Sequence, residues 1–319
     1  MKNAMITKVF IDGDAGTTGL EIRARLEGRR DLALLRLDDA KRKDLQARAA
    51  MLNEAAVAIL CLPDEAAKEA VALAGANTRF IDASTAHRTA PGWVYGFAEM
   101  DGGQRAAIAS ARLVSNPGCY PTGMIALLRP LVEAGLVPAD WPVTVNAVSG
   151  YSGGGKAMIA AFEDEASPAF TREPFRAYGL GLAHKHVDEM RVHGKLVHPP
   201  LFAPSVGRYY RGMLVEIPLQ LWALPRTPTP AQLHAVLTDT YRGQRFVTVA
   251  GLDEAAKMTG LDPEGQNNTN GLKLFVFANA ARGQARLVAQ LDNLGKGASG
   301  AAVQNLNIML GIDEATGLA

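Results

Sequence analysis

Val9-Phe10-Ile11-Asp12-Gly13-Asp14-Ala15-Gly16-Thr17-Thr18-Gly19 joins a short apolar run to three glycines spaced G-x-x-G-x-x-G. Gly19, Ile22 and Leu26 then recur at helical intervals. An apolar strand, a glycine turn and a helix in that order make a place where backbone can approach a pyrophosphate. The helix start adds unpaired N–H groups and partial positive charge. The spacing differs from the usual G-x-G-x-x-G, so a ligand-free glycine turn stays open on spacing alone. The position between a first strand and a first helix favours a dinucleotide site.

The same alternation continues outward. Further short apolar runs fall at 32–37, 57–62, 79–81 and 113–114, with helical patterns between them. Strand and helix alternating at this length predict a parallel sheet covered by helices. After about Pro117 the pattern changes. A helix is predicted over 122–134, and a strand over 143–148 feeds the glycine-rich run 149–156. Longer strands at 212–219, 272–278 and 285–291 suit antiparallel pairing, with a helix at 231–241. The reading is α/β in class. A Rossmann-type dinucleotide-binding domain (1–117) is completed by a C-terminal helical segment (295–319), and an α+β substrate and dimerisation domain spans 118–294. Within the last segment, Val303, Leu306 and Leu310 fall on one helical face.

The chain has 319 residues, 48% hydrophobic, with a net charge of +1, so no basic surplus points to nucleic acid. No window resembles a membrane span, and residues 1–10 lack the n- and h-regions of a signal peptide. Two cysteines do not make a disulfide framework, and a reducing cytoplasm is expected.

Each cysteine therefore needs its own account. Cys61 lies inside an apolar run and reads as core. Cys119 follows Asn116-Pro117-Gly118 and precedes a helical pattern, where a helix N-terminus favours the thiolate. Nucleophile and packing residue are both open for it on these grounds. A thiolate needs a proton-transfer partner, and His184-Lys185-His186 is the densest histidine group, with Glu189 placed to cap a helix starting near His186. His-x-His is also half a metal site, but no second cluster at ligand spacing completes one, so no metal is expected. In the cofactor half, Asp38 suits a ribose hydroxyl. The cluster of Arg36, Lys41, Arg42 and Lys43 suits a 2′-phosphate, or is simply a solvated face.

Runs of residues along nearly the whole chain resemble the N-acetyl-gamma-glutamyl-phosphate reductases of arginine biosynthesis, in their shorter form. The resemblance rests on 13–19, 82–88, 95–100, 115–122, 148–156, 184–190, 211–213 and 292–305. Asn116-Pro117-Gly118-Cys119-Tyr120-Pro121-Thr122 and the 292–305 run are its most specific parts. It implies a fold like the aspartate-semialdehyde and glyceraldehyde-phosphate dehydrogenases, with the C-terminal helix returning to the cofactor domain. It implies NADP as cofactor and an acyl-phosphate substrate, N-acetylglutamyl phosphate, in a homodimer or homotetramer. Cys119 matches the family nucleophile, His184 and His186 its His-x-His pair, and Arg88 its anion-binding arginine. Asn116 and Ser149 are expected near the substrate. Gly13, Ala15, Gly16, Thr17, Thr18, Gly19, Arg36, Arg42, Ser84, Gly153, Gly154 and Asn293 are expected near the cofactor. The chain departs from the longer form at Thr85-Ala86-His87-Arg88 and at His184-Lys185-His186-Val187-Asp188-Glu189, which brings His87 into consideration. Three rivals stay open: another acyl phosphate such as aspartyl or carrier-bound aminoadipyl phosphate, a non-catalytic NADP-binding regulator, and a cofactor-free cysteine hydrolase.

Overall fold

A computed structural model describes residues 6–318, Asp39 by its backbone alone. The chain divides into two units. One runs to Ala98 and takes in Gly102–Pro117 and the residues from Ala298 onward. The other is Glu99–Asp101 with Gly118–Gly297.

The first unit holds β1 (Thr7–Asp12), α1 (Thr17–Leu26), β2 (Leu32–Leu35), α2 (Leu45–Glu54), β3 (Val57–Leu60), α3 (Asp64–Leu73), β4 (Arg79–Asp82), β5 (Val94–Tyr95), α4 (Gln104–Ser110) and β6 (Leu113–Ser115). Its six strands pair in parallel in the order β2-β1-β3-β4-β6-β5. Strand period 2 sorts the apolar residues into two layers. Val9 and Ile11 face a layer with Ile22, Leu26, Ile108, Val303 and Leu306. Phe10 faces the opposite layer with Leu52, Ala67, Ala70 and Phe80. Both faces are therefore covered, as a parallel sheet requires. The C-terminal helix, Gly300–Leu310, lies in the first layer and is buried on every side from Gly300 to Met309, beyond the one-face stripe read from the sequence. Asn307 accepts a bond from the Arg29 guanidinium at 2.7 Å, and Arg79 donates to the Met309 carbonyl at 2.6 Å. Chain order reverses between β1 and β3, and this switch point is where an open α/β sheet presents a ligand crevice.

The second unit holds α5 (Cys119–Glu133), β7 (Thr144–Gly150), α6 (Gly155–Glu163), β8 (Phe175–Ala177), α7 (Val187–His193), β9 (Leu201–Gly207), β10 (Met213–Gln220), α8 (Pro230–Thr240), β11 (Val247–Val249), α9 (Leu252–Lys257), β12 (Leu272–Asn279) and β13 (Gln284–Leu291). The seven-stranded sheet runs β11-β12-β13-β10-β7-β9-β8. β10, β12 and β13 pair antiparallel as their alternation predicts. β7 and β9 pair parallel, as do β11 and β12, so the sheet is mixed. β9 escaped the sequence reading because Pro199, Pro200 and Pro204 break up its strand signal.

α5 carries the candidate nucleophile Cys119. It starts at Cys119, three residues before the predicted start, and continues through Pro130. A proline inside a helix leaves the carbonyl four residues earlier without its N–H partner. Here that carbonyl, Ala126, accepts the buried hydroxyl of Tyr241 at 2.9 Å, so α5 passes the proline intact.

Candidate active site

The glycine turn is built by geometry that side chains forbid. Gly13 has φ of +89°, and a Cβ there would lie 2.4 Å from the Cys61 carbonyl oxygen. The Gly13 carbonyl accepts the Gly16 N–H at 3.1 Å, which closes the turn onto the N-cap of α1. A small cavity follows, lined by Gly13, Asp14, Ala15, Leu35, Arg36, Leu37, Arg42 and Leu62. Arg36 and Arg42 are its cations. Arg42 lies 3.4 Å from Asp14, and Arg36 donates to Glu27 at 2.9 Å. Asp38 is not in the lining. The unpartnered helix start and the basic rim fit a dinucleotide carrying an additional phosphate.

Other residues expected to face cofactor or substrate are engaged otherwise. The Ser84 hydroxyl donates to Asp82 at 2.7 Å and accepts the Ala86 N–H. Asn116 donates to the Ala298 carbonyl at 2.9 Å and accepts from Asn305 at 3.1 Å, so both ends of its amide hold the first unit together. Arg88 is buried and donates to the Ala83 carbonyl. His87 sets its Nδ1 2.6 Å from the buried Asp82 carboxylate and stacks on Trp93 at 4.0 Å. Its place is therefore a brace for the loop that carries Arg88. Cys61 sits beside this network. Burial, with Asp82, Asp12 and Asp14 nearby, pushes its thiol up to about 12, which leaves it an inert thiol.

In the second unit, Cys119 is the first residue of α5, with Gly118 in extended conformation before it. The N–H groups of a first helical turn have no intrahelical acceptor, so this end is electropositive. Pro121 falls within that turn, where its missing N–H costs nothing. Glu189, in the first turn of α7, accepts the Gly118 N–H at 2.8 Å. That bond ties the histidine-bearing segment to the cysteine turn. The His186 N–H donates to His184 Nδ1 at 3.2 Å. The rings of His184 and His186 lie 6.1 and 5.8 Å from Tyr120, the residue after Cys119, and 4.7 Å from each other. Burial lowers the His184 pKa, Lys185 adds to the effect and Glu189 opposes it.

Two tyrosines, Tyr120 of the Asn116–Thr122 run and Tyr178, are bonded to each other beside the histidine pair. Tyr178 donates to the Tyr120 hydroxyl at 2.9 Å. Burial pushes both phenols up, Tyr178 to about 12, so both remain donors. Asn293 donates to Ser152 at 3.0 Å and accepts the Gly212 N–H at 2.8 Å, clamping the glycine-rich turn that contains Gly153 and Gly154. The Ser149 hydroxyl donates to the Gly150 carbonyl at 3.1 Å. Among the described residues no group of three or more His, Cys, Asp or Glu is placed to hold a metal ion.

The semialdehyde dehydrogenase dimerisation-domain model matches residues 119–293. The N-acetyl-gamma-glutamyl-phosphate reductase of Brucella anthropi is 58% identical over 309 residues, covering 96% of this chain and 99% of that protein. The enzyme of the same name from Brucella ovis is 57% identical over 309 residues, covering 96% and 100%. The chain belongs to the N-acetyl-gamma-glutamyl-phosphate reductase family. Solved structures share the fold at low identity. Aspartate semialdehyde dehydrogenase from Francisella tularensis superposes with a TM-score of 0.67 at 14% identity, covering 95% of this chain and 100% of that one. The Candida albicans enzyme, solved with NADP, gives 0.64 at 13%, covering 96% and 99%. Family membership rests on likeness along nearly the whole chain. It does not by itself say why Tyr178 and Glu189 stand where they do, and no local sequence signal marks Tyr178.

Proposed function

We propose that this chain reduces N-acetylglutamyl 5-phosphate to N-acetylglutamate 5-semialdehyde with NADPH, as the names of its relatives indicate, and that Cys119 is the nucleophile. The observation that carries the reading is Cys119 at the first position of α5, joined through Glu189 and Gly118 to the segment bearing His184 and His186.

The Cys119 thiolate attacks the acyl carbon, the carbon–oxygen bond to phosphate breaks, and a thioester forms as phosphate leaves. Arg88 is the residue assigned to the phosphate, since a guanidinium binds such an oxyanion through paired hydrogen bonds. The Gly13–Gly19 turn and the Arg36 and Arg42 rim would hold NADPH, which would supply the hydride to the thioester carbon. The first-turn N–H groups of α5 stabilise negative charge on the carbonyl oxygen. His186 donates a proton to that oxygen, giving the thiohemiacetal. It takes the proton back as the carbon–sulfur bond breaks and the Cys119 thiolate returns. His184 holds the His186 backbone through its Nδ1.

The direct assay is the reverse reaction. N-acetylglutamate semialdehyde should be oxidised in a phosphate-dependent manner with NADP. NAD and aspartate semialdehyde should each support far lower rates. Equal rates with aspartate semialdehyde would remove the substrate assignment.

The cofactor assignment has its own test. Arg42→Ala should weaken NADPH binding in a fluorescence titration by roughly tenfold, the loss of one charge-assisted contact of about 1.4 kcal/mol. NADH binding should stay unchanged. An equal loss for both cofactors would take the 2′-phosphate away from Arg42.

Among the described residues no helix is long and apolar enough to cross a membrane. A cytoplasmic homodimer or homotetramer, with contacts through the dimerisation-domain region, completes the proposal.

A further inference from the structure

Cys119 has a seat as well as a helix. β13 ends at Leu291, and a single π-turn, Gly295–Ser299, follows it. The Gly297 N–H donates to the Asp292 carbonyl at 3.0 Å, the five-residue spacing that defines such a turn. A Cβ on Gly297 would lie 2.8 Å from the Cys119 Cβ and 3.3 Å from its Cα. Those atoms are at the root of the side chain, so rotation about χ1 relieves nothing. The turn is also unable to retreat easily. A Cβ-free Gly295 packs its backbone against Thr269, where a Cβ would fall 2.2 Å from the carbonyl oxygen. The intervening Lys296 is buried with its ammonium 2.8 and 2.7 Å from the two carboxylate oxygens of buried Glu99, and it sits 5.6 Å from the Phe246 ring.

A buried charge pair is costly to assemble and contributes little net stability, yet breaking one partner is strongly destabilising. Its contribution is to fix a geometry. π-turns are rare and tend to occur at functional sites. Both features meet at Gly297, whose backbone lies against Cys119.

We propose that Gly297 is a positioning residue for Cys119. In this arrangement the Lys296–Glu99 ion pair locks the π-turn, and the locked turn fixes where the Cys119 backbone and thiol lie against the first turn of α5. The inference rests on the assignment of Cys119 as nucleophile.

The test uses the full-length protein and three variants: Gly297→Ala, Lys296→Met combined with Glu99→Gln, and Cys119→Ser. Each is measured for kcat and KM in the phosphate-dependent direction and for melting temperature. The rate of iodoacetamide labelling at residue 119 is followed against pH, with the site located by peptide mass, in every protein that retains the cysteine. Gly297→Ala should fold, keep KM for NADP, and lose kcat by tenfold to about 10²-fold, the scale of an ångström-sized misplacement at a reacting group. The pH midpoint of Cys119 labelling should move with it. The double variant removes both members of the buried pair together and should show the same kcat loss and midpoint shift. If Gly297→Ala fails to fold, the double variant decides alone.

Wild-type kcat and labelling midpoint in either folded variant would overturn the proposal. Full activity in Cys119→Ser would overturn the nucleophile assignment instead. An inactive Cys119→Ser beside a wild-type Gly297→Ala would leave that assignment standing and end the positioning role.

Discussion

Cys119→Ser should lose reductase activity by on the order of 10³-fold or more in kcat/KM while binding NADPH as the wild type does. Serine fits the same place, so the change tests chemistry rather than packing. A helix N-terminus favours negative charge by only about 0.3–1 kcal/mol at an exposed site. That is enough to bias a thiol whose ordinary pKa is about 8.5, and far too little to ionise a hydroxyl. The variant should therefore melt within about 3 °C of the wild type, because no buried group is orphaned. A second readout isolates the first chemical step. With acyl phosphate and no reductant, wild-type enzyme should release phosphate in a stoichiometric burst and gain the mass of an acyl group on the Cys119 peptide. Cys119→Ser should show neither. A persistent burst in the variant would place the covalent step on another residue.

The first unit was largely legible in the sequence because its signals are local. The apolar run at 9–11, the glycines at 13, 16 and 19 and the spacing of Ile22 and Leu26 lie within one strand–turn–helix, and β1 and α1 occupy those places. The second unit was legible where strands alternate strongly, as in β10, β12 and β13. It was opaque where pairing is long-range and prolines interrupt, as in β9. The same distinction governs the candidate site. Cys119, His184 and His186 stood out by motif. Tyr178 did not, because its bond to Tyr120 spans 58 residues and nothing local announces it. Residue type alone does not reveal the partners of a side chain. Asn116, Ser84 and Asn293 are polar residues in site-like motifs, yet their side chains are engaged with neighbouring protein groups. Motif membership identifies which residues a site depends on. Hydrogen-bond partners are needed to tell those that contact a ligand from those that hold the loops.

That distinction separates the two histidines of the His-x-His motif. His186→Gln should lower kcat by about 10²–10⁴-fold, the usual contribution of a positioned acid–base group, and should remove a limb of the pH–rate profile. His184→Gln should cost less and keep that limb, because its Nδ1 accepts a backbone N–H and its ring packs against Tyr178 and Phe202. Stability distinguishes them as well. Burial lowers the His184 pKa below its ordinary 6.5, so the unfolded chain takes up a proton at a pH where the folded protein does not. Protonation then favours unfolding, and wild-type stability falls as pH drops through 6.5 toward the lower folded value. His184→Gln has no such proton to bind, so its melting temperature should depend less on pH below 6.5 than that of the wild type. A His184 variant that lost the catalytic pH limb, beside a His186 variant that kept it, would reverse the two roles.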